Sequence, residues 1–313
     1  MYVLELQKLL SERYIHLLFN TAKLNLAEKN GERLDSIRWI TSGLSAAGLR
    51  PAADSLLASS SYIQSKAEQD KWNGYKKASY IKLLELYGAE EIDYSQSVQR
   101  FVAPTDRNLE SNTTINSSHP QLQTLQNQAD YFTFSGEAQK RSSLPSLHLI
   151  GGYSYRTAGI DSDGGVSGNW QDGFNNSATN YIAGVGITWN LTNLRANQLK
   201  GKELLKESES VKFLQSQYQL AMQSDLDASK AKITQQNQQL IKTRLAVKQS
   251  QDAYAMYLAR YKSGLITLSE LLQLRLLLEH AENSHIEASR DYWIQLANEA
   301  ELTADFDFLF TNL

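Results

Sequence analysis

The side chains best able to do chemistry here are five histidines, 34 acidic and 31 basic residues and many serines, and their spacing builds no reaction centre. His280 and His285 stand five residues apart, which on a helix turns them to different faces and denies them a shared metal. Gly184-Val185-Gly186 lacks the third glycine of a nucleotide fingerprint and precedes no helix ready for a phosphate. The serines and aspartates form no nucleophile elbow or triad pattern. With no cysteine, disulfides and thiolate metal sites are excluded. Neither catalysis nor a cofactor nor a metal is expected. A net charge of −3, spread evenly, also lacks the clustered Lys and Arg that a nucleic-acid partner requires.

What the spacing does specify is long helices. The four prolines, Pro51, Pro104, Pro120 and Pro145, each fall at a joint, which leaves the stretches between them free to be helical. From about Leu194 to Ser263, Leu226, Ile233, Leu240, Val247, Tyr254 and Tyr261 recur every seven residues. That repeat predicts a left-handed supercoiled helix with one narrow seam, about 70 residues and so about 105 Å long. Such a rod needs neighbours along its whole length. Gly264 reads as its left-handed cap, and a Leu-rich helix follows to about Leu302. The same unit occurs earlier, with a helix to about Ala47, a cap at Gly48 and a second helix to about Tyr87. Gly48-Leu49-Arg50-Pro51-Ala52-Ala53-Asp54 aligns with Gly264-Leu265-Ile266-Thr267-Leu268-Ser269-Glu270 at an offset of 216, the mark of a tandem duplication.

Between the two hairpins the period changes from helical to alternating. Leu147, Leu149, Tyr153 and Tyr155 share one face, opposite His148, Gly152, Ser154 and Arg156. Tyr181, Ala183, Val185, Ile187 and Trp189 share another, opposite Gly184, Gly186, Thr188 and Asn190. The two strands, of about 9–10 residues, flank a loop rich in Gly, Asn, Asp and Ser that includes Asp161-Ser162-Asp163-Gly164-Gly165, the pattern of a membrane β-hairpin with a long outer loop. A soluble hairpin with one buried face has the same alternation. The expected organisation is a first helical hairpin over 1–88, a polar linker over 89–119, a helix over 120–144, a β-hairpin over 145–191 with its outer loop at 157–180, a second long hairpin over 192–303 and a tail over 304–313.

Two helical hairpins in tandem with a strand pair between them resemble the TolC family of outer-membrane efflux ducts. Local motifs resemble it too: His119-Pro120-Gln121-Leu122 at a helix start, Lys140-Arg141-Ser142-Ser143-Leu144-Pro145-Ser146-Leu147 before a strand, and two Gly-Leu turns each followed by an acidic residue. The resemblance implies a mostly α fold, in which long coiled-coil hairpins and a membrane β-hairpin contribute to a shared trimeric β-barrel and α-barrel tunnel. It implies a homotrimer embedded in outer-membrane lipid that extends into the periplasm of a Gram-negative bacterium. A periplasmic adaptor (a membrane fusion protein) and an inner-membrane transporter would be its partners in efflux or type I secretion. Tyr153, Tyr155, Tyr181 and Trp189 would lie at the membrane interface, and Gly48, Leu49, Gly264 and Leu265 would be tip turns facing the adaptor. Asp54 and Tyr261 match a family latch, whereas Ala53 and Ile266 stand where a Thr–Arg contact is expected and cannot form it. Glu270 and Gln273 fall on the acidic constriction, one carboxylate having become neutral.

Family members supply four strands per subunit, so a longer natural chain is expected, with about a hundred residues and a secretory signal preceding Met1. The competing reading is a soluble, elongated coiled-coil scaffold or an adaptor-like protein without channel activity. Adaptors carry lipoyl-like or barrel domains beside their hairpins, and residues 98–119 are too short and polar for one.

Overall fold

A computed structural model describes residues 2–88, 91–103, 115, 119–160, 163–166, 168–174 and 176–313. Among the described residues, seven helices, α1 Tyr2–Ala46, α2 Ala52–Tyr87, α3 Ser95–Val102, α4 Pro120–Arg141, α5 Leu194–Lys262, α6 Leu268–Thr303 and α7 Asp307–Asn312, accompany two strands, β1 Ser146–Ala158 and β2 Asn176–Thr188. They divide into two compact units, residues 1–122 with 218–313 and residues 123–217. No helix is long and apolar enough to cross a membrane among the described residues.

In the first unit α1 packs against both α2 and α6. The heptad seam of α5 turns inward as the spacing predicts: Leu226, Leu240, Tyr254 and Tyr261 are buried, and Ile233 and Val247 are half-buried. One apolar cluster gathers Ile15, Leu18 and Phe19 of α1 with Trp293, Leu296 and Ala300 of α6. A second collects Leu34, Ile37, Tyr254, Tyr261 and Leu271 toward the hairpin turns.

Apolar stripes slide easily along one another, so polar contacts must set the register of α1 on α6. Lys8 Nζ reaches Glu301 at 2.6 Å. The buried Lys23 donates to Asn283 at 2.7 Å and Glu287 at 2.9 Å. Arg33 grips Glu282 with two parallel hydrogen bonds of 2.6 and 2.7 Å. Planar bidentate pairing of this kind adds direction to charge. These three rungs hold an antiparallel pair that sequence distance alone would leave free to slip.

The linker and the tail each contain a helix that the sequence pattern does not announce. α3 is an amphipathic helix of about two turns whose Val98 and Phe101 enter the α1–α6 cluster. Its terminal carbonyls would otherwise lack partners. Trp293 Nε1 donates to Phe101 O at 3.1 Å, and the His285 ring meets Val102 O at 3.0 Å and Thr243 Oγ1 at 2.9 Å. Burial pushes the His285 imidazole below its ordinary value, so the neutral ring fits this three-helix junction. α7 buries Leu309 against the same cluster, with Phe306 and Leu313 beside it. The remaining linker residues, 89–90, 104–114 and 116–118, lie outside the described residues.

In the second unit α4 and α5 cross at two glycines. A methyl group on Gly201 would stand 2.9 Å from Gly136 O and 2.7 Å from a Lys140 side-chain carbon. Thr133 and Ser208 share a 2.7 Å hydroxyl contact beside this crossing, and Ser208 also donates to Ala129 O at 2.8 Å. β1 and β2 pair antiparallel from Ser146↔Thr188 to Ala158↔Asn176, 13 residues each. The ladder is longer than the alternation suggests, because backbone pairing continues through Arg156–Ala158 and Asn176–Ala178 after the apolar pattern has stopped. The connection is correspondingly shorter than 157–180. It contains an Ile160↔Val166 bridge and a short 3-10 helix at Trp170–Phe174, while Asp161 and Ser162 lie outside the described residues.

Two stability predictions follow from these contacts. Glu282→Ala strands the Arg33 guanidinium in a largely buried place and costs about 3–5 kcal/mol. Glu85→Ala, which breaks only the exposed pair with Lys82, costs less than about 1 kcal/mol. Denaturant midpoints of the purified protein test the contrast, and equal losses would contradict it. Gly201→Ala is destabilising by about 1–3 kcal/mol through the α4–α5 crossing. Gly43→Ala, with nothing within 4 Å of the added carbon, instead gains up to about 1 kcal/mol of helix propensity. Matched melting curves with the same sign for both would refute the crossing argument.

Candidate functional site at the paired hairpin tips

The two helical hairpins turn in the same way, atom for atom. α1 ends on Gly48 at φ +72° and α5 on Gly264 at φ +76°, both left-handed, where a side chain would be strained. Gly48 N bonds Ser45 O at 3.0 Å and Leu49 N bonds Leu44 O at 2.9 Å. Gly264 N bonds Tyr261 O at 3.0 Å and Leu265 N bonds Arg260 O at 2.9 Å. Each turn is thus a paired-carbonyl helix stop, and the residues involved are 216 apart throughout. Pro51 and Thr267 then open the next helices in extended conformations. Leu49 and Leu265 project outward, 70% and 69% exposed, at the ends of the hairpins.

The tips touch. Tyr261 is fully buried, and its hydroxyl lies 2.9 Å from Thr41 Oγ1, which in turn donates to Ile37 O. Arg50 Nη2 donates to the main-chain carbonyl of Ile266, and the guanidinium sits 5.3 Å from the centre of the Tyr261 ring. Arg50 therefore joins the two turns where the Thr–Arg contact expected at Ala53 and Ile266 cannot form. Neither Thr41 nor Arg50 was singled out from the sequence. Thr41 interrupts the apolar stripe Leu34-Ile37-Thr41-Leu44, and an arginine 216 residues from an isoleucine marks a place where the duplicated turns have diverged.

Asp54 lies in the first turn of α2, half-exposed, and its carboxylate has no partner among the described residues. The structure therefore does not bring Asp54 onto Tyr261 within one chain. Glu270 is exposed and its carboxylate closes a capping box, accepting from Thr267 N at 2.7 Å and Thr267 Oγ1 at 2.8 Å. Those two hydrogen bonds hold its carboxyl below the ordinary carboxylate range, with Arg260 and Arg50 adding to the effect. Gln273 lies one turn further along α6, exposed.

The other expected residues lie on the β-hairpin. Tyr153 faces Tyr181 directly across the ladder, and Tyr155 stands two residues further along the same face, opposite Thr179. All three rings are exposed, as are Leu147, Leu149, Val185 and Ile187 of that face. Trp189 follows β2 and donates its ring N–H to Ser143 O at 3.1 Å, fixing the strand ends to the end of α4.

The capping box makes a pH prediction. A carboxyl held below its unfolded value contributes stability that is complete above the ordinary carboxylate range and is lost as pH falls through the folded value. The advantage of the wild type over Glu270→Gln is therefore present at neutral pH and vanishes on acidification below that range. Paired unfolding curves across pH check this, and a gap that persists in acid would contradict it.

Comparison with known proteins adds lineage to this geometry. The sequence matches the model of the outer membrane efflux protein family over residues 109–303, more than half of the chain. No curated protein matches it. Among solved structures, the outer-membrane channel OprN is similar at 15% identity and a TM-score of 0.73, over 98% of this chain and 67% of that one. VceC from Vibrio cholerae is similar at 14% identity and a TM-score of 0.73, over 97% and 71%. CmeC from Campylobacter jejuni is similar at 13% identity and a TM-score of 0.70, over 96% and 62%. The chain thus spans about two thirds of the length of the channels it resembles. At these identities the structures speak for the fold, an architecture of helical hairpins and a β-hairpin. With the family match covering most of the second hairpin and the strand pair, the chain belongs to the outer membrane efflux protein family.

Proposed function

We propose that this protein is a channel-tunnel subunit, a passive conduit through which an inner-membrane transporter and a periplasmic adaptor export cargo across the outer membrane. The β-hairpin is the observation that carries the reading. One of its faces is apolar with aromatic ends and the other bears His148, Ser154, Arg156 and Asn180, yet neither face is covered. Among the described residues the sheet has two strands, so each strand keeps one unpaired edge. An open edge is untenable in lipid, where every backbone group must find a partner within protein. Pairing with further strands into a shared barrel satisfies both the edges and the two-sided alternation.

The helices support assembly from several copies, in keeping with a homotrimer. Within one chain α1 meets α6 through Lys8–Glu301, Lys23–Glu287 and Arg33–Glu282. The positions equivalent by the repeat are Ser224, Gln239 and Gln249 on α5 and Glu85, Lys71 and Lys66 on α2, and all six are exposed. On α2 the exposed line Leu56, Ile63, Ile81 carries Ala67 and Gly74 between its large residues, an unfilled seam for a helix at close range. The counterpart of the α1–α6 pair is thus α5 of one copy against α2 of another.

In this reading the hairpin tips form the periplasmic entrance. Leu49 and Leu265 face the adaptor, Glu270 and Gln273 line the constriction, and Asp54 is open to a neighbouring tip. Tyr261 is the latch, held at rest by Thr41. The protein is expected in the detergent-extracted outer-membrane fraction as a trimer that conducts in planar bilayers, with Tyr261→Phe raising the conductance. A soluble, non-conducting product would favour the scaffold reading, and a conducting channel unchanged by Tyr261→Phe would remove the latch alone.

A further inference from the structure

The β-hairpin and the helix ends that carry it sort their charges along the length of the second unit. Residues 138–160 and 176–202 include no acidic residue, while Lys140, Arg141, Arg195, Lys200 and Lys202 stand at the foot of the strands. The far end reverses this: it carries Asp161, Asp163 and Asp172, with no Lys or Arg between Arg156 and Arg195. Further along the helices the charges mix again, with Glu137, Glu203 and the Lys206–Glu209 pair.

Three contacts gather the five cations into one band. Gln139 Nε2 donates to Asn197 Oδ1 at 3.0 Å, and Trp189 Nε1 donates to Ser143 O at 3.1 Å. The Lys140 side chain crosses Gly201 so closely that a methyl group there would stand 2.7 Å from it. All five cations are exposed. Among the described residues Lys140, Arg195, Lys200 and Lys202 form no ion pair, and Arg141 only approaches Glu137 at 4.0 Å. Arg195 also sits in the first turn of α5, which has no acid, although that end of a helix disfavours a cation. The band therefore carries an unbalanced charge that the chain itself does not answer.

Apolar side chains mark the adjoining level. Leu144, Trp189 and Leu191 are exposed between the cations and the apolar strand face of Leu147, Leu149, Val185 and Ile187. On α5 the exposed Leu199 lies between Arg195 and Lys202 on one helix face, four residues from the first and three from the second. An apolar band, a tryptophan and then cations on long stems follow the order of a bilayer from hydrocarbon to headgroup.

We propose that Lys140, Arg141, Arg195, Lys200 and Lys202 form a collar that binds the phosphates of anionic phospholipid in the periplasmic leaflet, fixing the depth at which the hairpin sits. The proposal rests on the reading of the strands as a membrane hairpin. Headgroup phosphate supplies the missing negative charge, and the Lys and Arg stems reach it along the apolar surface. The carboxylates at the far end repel the same headgroups, so the collar also favours one orientation.

The test uses the protein extracted from the outer membrane and reconstituted into phosphatidylethanolamine vesicles with and without phosphatidylglycerol. Flotation reports insertion, and native mass spectrometry of the released protein reports which lipid stays bound. Wild type is expected to retain phosphatidylglycerol over phosphatidylethanolamine. One cation near an anionic surface corresponds to about a fivefold preference, so Arg195→Gln lowers the retained ratio by about that factor and Arg195→Lys keeps it. A variant with all five cations replaced by Gln inserts but loses the preference, whereas Lys242→Gln, an exposed position of α5 in the other unit, leaves it unchanged.

Undiminished preference in the variant lacking all five, or an equal loss in Lys242→Gln, would overturn the proposal. Unchanged lipid retention with altered ion selectivity in planar bilayers would overturn it too, by assigning the cations to the lumen. A wild type that floats with neither kind of vesicle removes the membrane hairpin and the collar together. Flotation without a phosphatidylglycerol preference removes the collar alone.

Discussion

A helix whose buried seam recurs only every seven residues cannot bury itself, and most of the structure answers that constraint. The seam of α5 is too narrow for a globular core, since a single buried stripe leaves most of the helix circumference polar. Its buried residues join apolar clusters with α1 and α6 in the first unit, and α4 crosses the helix in the second. Each cover carries a device against sliding: ion pairs between α1 and α6, and a glycine crossing between α4 and α5. Polar specificity and close approach take the place of core volume.

The same constraint explains why so much apolar surface stays in the open. Leu56, Ile63 and Ile81 on α2 and the whole apolar face of β1–β2 are exposed. In a self-sufficient globule patches of this extent would be a liability. In the assembly proposed above they are the surfaces for further copies and for lipid.

Elements whose stability is periodic were readable from the sequence, and elements whose stability is tertiary were not. The α5 seam, the strand alternation and the glycine stops at Gly48 and Gly264 each follow from residue type and spacing, because supercoiling, pleating and left-handed φ impose local rules. α3 escaped notice in a polar linker because eight residues do not hold a helix alone. Trp293 and His285, more than 180 residues away, complete its last turn. At the tips Tyr261 stands out as a seam residue, whereas Thr41, its partner within the chain, does not. A tyrosine in a seam advertises a hydroxyl that needs company, but whether Thr41 or Asp54 provides it depends on the rotation of α1 against α2, which no local pattern encodes.

The turn-to-turn contact also bears on how the duplicated halves drifted apart. Equivalent residues of the two repeats meet at this contact, and an arginine on both sides would set like charges against each other. One half holds the cation and the other offers its backbone, so Arg50 and Ile266 mark a point where the halves have diverged.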